Sequence, residues 1–149
     1  MKKEEFIALL NEDLKNEYKH MLFYLHHAAL VGSLHRFEIR EFLLEEAASE
    51  MKHVDEFAHV IVGLGGIPTT EHNDFSKNMT DPIQILLYAM SMELEVAANY
   101  AQRLKLTDEL VGSNAWDGVD TDASYVHVFM EDNIRDSRKT GDELKKVLT

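Results

Sequence analysis

Glu50 and His53 stand three residues apart in the middle of a long amphipathic stretch. Three residues along a helix bring a side chain back to the same face. The neighbours on that face are apolar: Ile39 and Leu43 before the pair, Phe57, Val60 and Leu64 after it. A carboxylate and an imidazole are therefore aimed at a core, where ionisable groups are rare unless paired or bound to metal. Glu17, Glu93 and Glu131 occupy comparable positions, each within or beside an apolar stripe. Unpaired, four such carboxylates would repel one another and take up protons. A pair of divalent cations removes that cost, because carboxylates bridge two ions and imidazole sets one coordination position. Glu-x-x-His on bundle helices, joined by lone glutamates, is the ligand pattern of carboxylate-bridged di-iron centres. For each residue the competing reading is a salt bridge at the edge of the core.

Four helices must position these groups. The first is expected over residues 3–31, with Phe6, Leu10, Leu14, Glu17, Met21, Tyr24 and Ala28 along its seam and Gly32-Ser33 ending it. The second is expected over residues 34–64, stopped by Gly65-Gly66 with Pro68 just beyond. The third starts sharply, with Asp81 as N-cap, Pro82 at the first helical position and Gln84 completing a capping box. Its seam is Ile83, Leu86, Met90, Glu93, Ala97, Tyr100 and Leu104, and it runs to Leu110. The fourth, over residues 121–148, is the least well patterned. A short first connection predicts an antiparallel hairpin. The non-periodic stretch 65–80 is long for a compact domain and predicts a crossover along the bundle. A connection of about ten residues, 111–120, joins the third and fourth helices. The expected fold is all-α: one domain, 1–149, a four-helix bundle of two antiparallel hairpins joined by a long crossover.

Composition narrows the chemistry. The chain has 149 residues, enough for one sizeable core, and no cysteine. That excludes disulfides, thiolate catalysis, Cys-ligated zinc and iron–sulfur clusters. With 27 acidic and 15 basic residues the net charge is −12, which disfavours nucleic acid as a partner and would attract cations. Ordinary solubility charge accounts for the same number. No apolar run approaches the ~20 residues of a membrane span, and the start, Met1-Lys2-Lys3-Glu4-Glu5, lacks a signal peptide's apolar region. A cytoplasmic location is expected.

Several segments resemble the ferritin-like superfamily, bacterioferritin most of all. These are Asn16-Glu17 with Tyr24-Leu25-His26-His27-Ala28, then Glu50-Met51-Lys52-His53-Val54-Asp55, the turn Gly65-Gly66-Ile67-Pro68, and Met92-Glu93-Leu94-Glu95. The similarity covers roughly residues 10–135. It implies a ferritin-like bundle in which Glu17 and Glu93 are terminal ligands, Glu50 bridges two iron ions and His53 binds one of them. It implies that Tyr24 hydrogen-bonds a ligand or supplies an electron. It also implies haem held between two subunits through Met51, for which dimer packing is the alternative. The implied activity is oxidation of Fe2+ by O2 or H2O2, with iron storage or detoxification, in a homo-oligomer of at least two chains.

The chain departs from that pattern in places. Where the fourth helix of the family carries Glu-x-x-His, this chain has Glu131-Asp132-Asn133-Ile134, so Glu131 can still bridge but the second imidazole is missing. His20, three residues after Glu17, and His127, four before Glu131, are candidates to replace it. The short helix that follows the bundle in bacterioferritin cages is absent, and Glu45 and Ser49 do not reproduce the family's inner-surface iron site. Two other functions use the same residues: a non-storage di-iron oxidase or peroxide reductase, and a scaffold with a degraded metal site. Manganese suits these ligands as well as iron.

Overall fold

The computed structural model describes residues 1–110, 116 and 120–149. Its elements are four helices in chain order: α1 (Lys3–Leu30), α2 (Arg36–Gly63), α3 (Pro82–Leu110) and α4 (Asp120–Leu148). Among the described residues there is no strand. α1 packs along α2 and α3 along α4, and the backbones of these two hairpins approach each other closely mainly along α1 and α3. The expected architecture of two hairpins is therefore the observed one.

Local chemistry sets the helix ends. Asp81 caps α3 as expected, its Oδ2 accepting from the Gln84 N–H at 3.1 Å. α1 ends one residue before Val31, and Ser33 adopts φ 78°, the left-handed conformation expected near Gly32. α2 starts later than its hydrophobic pattern suggests, leaving Leu34 outside the helix and exposed. Ile83, expected on the seam of α3, is exposed, and Ile85 and Ala89 take the inward positions instead. The expected connection 111–120 lies, apart from residues 116 and 120, outside the described residues.

The crossover runs the length of α1. Asn11 Nδ2 donates to Ile67 O at 3.1 Å, and Asn11 Oδ1 accepts from Thr69 N at 2.8 Å. Asn73 Nδ2 donates to Asn16 Oδ1 at 2.7 Å, His26 Nε2 to Lys77 O at 2.7 Å, and Gly32 N to Thr80 O at 2.9 Å. These rungs satisfy a backbone that has no ladder of its own. Gly66 begins the path because there is no room for a side chain: a Cβ there would lie 2.6 Å from Ile7 Cγ2.

The core falls into two apolar clusters. Phe6, Leu10, Leu14, Phe57, Ile61, Val126 and Met130 fill one end. Phe23, Ala28, Leu43, Ile85, Ala89 and Leu144 fill the other. Fully burying each large side chain contributes about 1.5–3 kcal/mol, so both ends are strongly stabilised. Between them lies a layer of buried ionisable groups that contributes nothing comparable by itself.

Candidate metal centre

Glu17, His20, Glu50 and Glu93 are each at most 3 % exposed, and His53 closes the group at the surface side. The heptad arithmetic of the helices brings them together. Leu10, Leu14 and Glu17 share the inner stripe of α1, and His20 and Tyr24 continue it at steps of three and four residues. Ala47, Glu50 and Phe57 do the same on α2, and Met92, Glu93, Val96 and Tyr100 on α3.

The side chains form two triads that share one carboxylate. In the first, His53 Nδ1 lies 3.3 Å from Glu50 Oε2 and 3.5 Å from Glu17 Oε2. In the second, His20 Nδ1 lies 3.8 Å from Glu50 Oε1 and 3.5 Å from Glu93 Oε1. The ligand atoms of each triad lie within 4.8 Å of one another. Glu50 thus presents one oxygen to each triad. Among the described residues, Glu17 Oε2 and His20 Nδ1 are buried without a hydrogen-bond partner. Buried polar atoms are normally satisfied, so each of these atoms, one in either triad, fits a cation in its own triad. Carboxylate and imidazole are the donor set for iron or manganese.

Two tyrosines brace the carboxylates crosswise. Tyr24 on α1 donates to Glu93 Oε1 on α3 at 2.8 Å. Tyr100 on α3 donates to Glu17 Oε1 on α1. Each tyrosine follows the glutamate of its own helix by seven residues, Glu17 to Tyr24 and Glu93 to Tyr100. That repeated spacing was the signal for Tyr100, which sequence reasoning placed on the seam without a role. Burial and the adjacent carboxylates hold both phenols well above their usual range, so they stay protonated donors.

Without metal, protons balance the charge. Burial would depress both imidazoles, but the facing carboxylates outweigh it: His53 is pushed up to about 11 and His20 well above its ordinary value. Burial, then repulsion from Glu50, pushes Glu17 up to about 7. Burial would raise Glu50, but the adjacent Glu17 carboxyl and the His20 and His53 imidazoles hold it low. The imidazolium groups occupy the electrostatic role of cations.

Glu131 is not brought to this centre. Its side chain is 48 % exposed and its Oε1 lies 2.7 Å from His127 Nε2, while His127 Nδ1 lies 3.1 Å from Asp108 Oδ1. The reason is the register of α4. Its inward positions are Val126, Met130, Asn133, Ser137 and Leu144. Asp136 Oδ2 lies 3.4 Å from His53 Nε2 and a Cβ at Gly141 would lie 3.7 Å from Glu93 Cβ, so α4 meets the centre over residues 136–141. Glu131 precedes that stretch by five residues, about 7.5 Å of helix, and points outward. Ile134 packs instead on the apolar cluster around Phe57. Of the two candidates for the missing imidazole, His20 stands in the second triad, whereas His127 lies with Glu131 and Asp108. Met51 is 65 % exposed on the outer face of α2, away from the centre.

The centre opens sideways. A cleft of about 500 Å³ between α2 and α4 is lined by Phe42, Glu46, Ser49, Thr140 and Glu143 and reaches Glu50, His53 and Glu93. Burial, then the charges of Glu93 and Glu50, raises Glu46 to about 7. Beside the centre, Asp13 on α1 is buried against Arg103 on α3 in a two-pronged ion pair, with Nε to Oδ2 at 3.2 Å and Nη2 to Oδ1 at 3.1 Å.

Known proteins share this arrangement of helices. The model of the ferritin-like domain family matches residues 7–149. A ferritin-like, diiron-carboxylate protein from Bacillus anthracis str. Ames is 29% identical, with a TM-score of 0.83, over 99% of this chain and 97% of that one. A DPS protein from Vibrio cholerae O1 superposes with a TM-score of 0.85 at 16% identity, over 99% of this chain and 91% of that one. A Rhodobacter capsulatus bacterioferritin, described with a metal-free dinuclear site and haem iron, gives 0.81 at 20% identity, over 99% and 86%. No curated protein matches the chain.

Proposed function

This chain belongs to the ferritin-like domain family, and we propose that it binds two Fe2+ ions per chain and oxidises them with O2 or H2O2 in the cytoplasm. The observation that carries the reading is the division of Glu50, whose Oε1 faces His20 and whose Oε2 faces His53. A carboxylate so placed can bridge two ions. Glu17 and His53 would hold one ion, Glu93 and His20 the other. The Bacillus anthracis relative, described as diiron-carboxylate, supports a two-iron reading.

The protein's part is to bind, orient and balance charge. Tyr100 and Tyr24 each fix one oxygen, of Glu17 and Glu93 respectively, which leaves Glu17 Oε2 directed towards His53. Anionic ligands favour the ferric state, and two Fe2+ held together supply two electrons to one oxidant molecule. The cleft at Glu46 gives cation and oxidant a path from solvent. Anaerobic titration of the metal-free protein with Fe2+, followed by admission of O2, tests this. Two ions per chain and oxidation faster than in buffer are expected. Oxidation no faster than in buffer would end the reading.

Metal uptake should also release protons. His53 holds its proton up to about pH 11. That proton stabilises the metal-free fold fully below about pH 6.5, the ordinary histidine value, and the contribution fades as pH rises towards 11. At pH 7 a metal must displace it, so affinity should rise with pH, about tenfold per unit for each proton released. Calorimetric titration at pH 7 in two buffers of different ionisation enthalpy would count these protons. Identical heats in both buffers would contradict the assignment of His53.

The open cleft also favours a second reading, a di-iron oxidase or peroxide reductase acting on a small molecule beside the centre. Steady turnover of peroxide with an added reductant, without net ferric accumulation, would favour it over ferroxidase action. Support for a homo-oligomer comes from the exposed apolar residues Phe37, Leu44 and Met51 along one side of α2. One chain offers haem only one thioether at the Met51 position, so haem binding there would depend on that assembly. The net charge of −12 supports a partner list without nucleic acid.

A further inference from the structure

Among its described side chains the fourth helix places no carboxylate inside the bundle, yet it reaches the centre from the side. His53 directs Nδ1 towards Glu50 and Glu17 and turns Nε2 towards α4, where Asp136 Oδ2 lies 3.4 Å away. Asp136 is adjacent to the buried Ser137, so the register that seats Ser137 inward leaves Asp136 at the α2 edge of α4, lining the same cleft as His53. The two nitrogens of an imidazole are not independent. When one coordinates a metal the other carries the proton, and a carboxylate beside that proton fixes the ring and strengthens the ligand.

Resting on the dinuclear reading above, we propose that Asp136 is the positioning residue for His53. It holds the ring so that Nδ1 faces the space between Glu17 and Glu50, and it accepts a hydrogen bond from Nε2–H when Nδ1 binds metal. Nothing in the ligand set itself requires this carboxylate. It comes from the one helix that supplies no ligand, and it acts on one triad only, so the two metal positions are unequal by construction. The competing reading is an ordinary exposed ion pair with protonated His53, since Asp136 is 57 % exposed. Such a pair has almost no effect on anything else. The two readings differ in what happens to metal.

Co2+ titration of the metal-free protein, followed by visible absorption, separates them. The wild type should bind two ions per chain. Asp136→Ala should weaken one of the two sites about 10–100-fold and leave the other within twofold. In a His53→Ala background the same substitution should change nothing further, because its effect passes through His53. Asp136 is exposed, so the variant should fold as the wild type does. An unchanged D136A titration in a protein that binds two ions would overturn this inference alone. So would an effect of equal size that persists without His53. A wild type that takes up no Co2+ would overturn the dinuclear reading and this inference together.

Discussion

Glu50→Ala should abolish the protein's acceleration of Fe2+ oxidation, whereas Glu131→Ala should leave it unchanged. Glu50 is the one residue common to both triads, so its loss removes a ligand from each metal position at once. Residues that merely orient a metal ligand cost roughly 10–100-fold when removed. Loss of the shared ligand should exceed roughly 100-fold in the rate of ferric formation after O2 is added. Glu131 is the informative control, since its carboxylate pairs with His127 and points outward. The pair of variants distinguishes this geometry from the family pattern, in which the fourth-helix glutamate bridges. A slow E131A protein would show that α4 sits in a different register, and a fast E50A protein would show that Glu50 is not the shared ligand.

Arg103→Leu should be the most destabilising single change next to the centre, by about 3–5 kcal/mol, because it strands a buried carboxylate. Asp13 is fully buried, and burial already raises its carboxyl to about 7 against the pull of Arg103. Without the guanidinium, Asp13 remains in place only by keeping its proton. The unfolded chain gives that proton up near the ordinary value of 3.8. The deficit should therefore be smaller at pH 5 and larger at pH 8. The double variant Asp13→Asn with Arg103→Met should recover most of the loss, since no unpaired charge is then buried. Urea unfolding at the two pH values measures all of this. A deficit for R103L below about 1 kcal/mol at pH 8, the range of exposed pairs, would mean that water reaches Asp13.

The parts of this protein that were legible in its sequence are those written in one helix at a time. Asp81-Pro82 and Gln84 mark the start of α3 through local backbone chemistry alone. Glu17, Glu50, His53 and Glu93 stood out because each interrupts an apolar stripe, and the structure gathers all four. What was not legible depends on register between helices. Asp13 and Arg103 look like solvated charges until α1 is laid against α3. His20 could be weighed only as an alternative, because nothing on α1 says which carboxylates will face it. α4 misled most, since its inward face near the centre is Asn133, Ser137 and Gly141, polar or small residues without an apolar period. Glu131, beside Met130 and ahead of Ile134, then gave the stronger but irrelevant match.

The crosswise tyrosines and the Asp13–Arg103 pair share a property: all three link α1 to α3, and so one hairpin to the other. Glu50, carried by α2, faces Glu17, His20 and His53 from its own hairpin and, through the second triad, Glu93 from the other. In the proposed reading, the ion held by His20, Glu50 and Glu93 rivets the two halves of the molecule together and replaces mutual repulsion with attraction. A ligand that binds only the folded form lowers the population of opened chains by mass action. Opened chains are what cellular proteases consume. Iron supply would then set the lifetime of the protein as well as its load, so that idle copies are cleared when the metal is scarce, without a dedicated regulator.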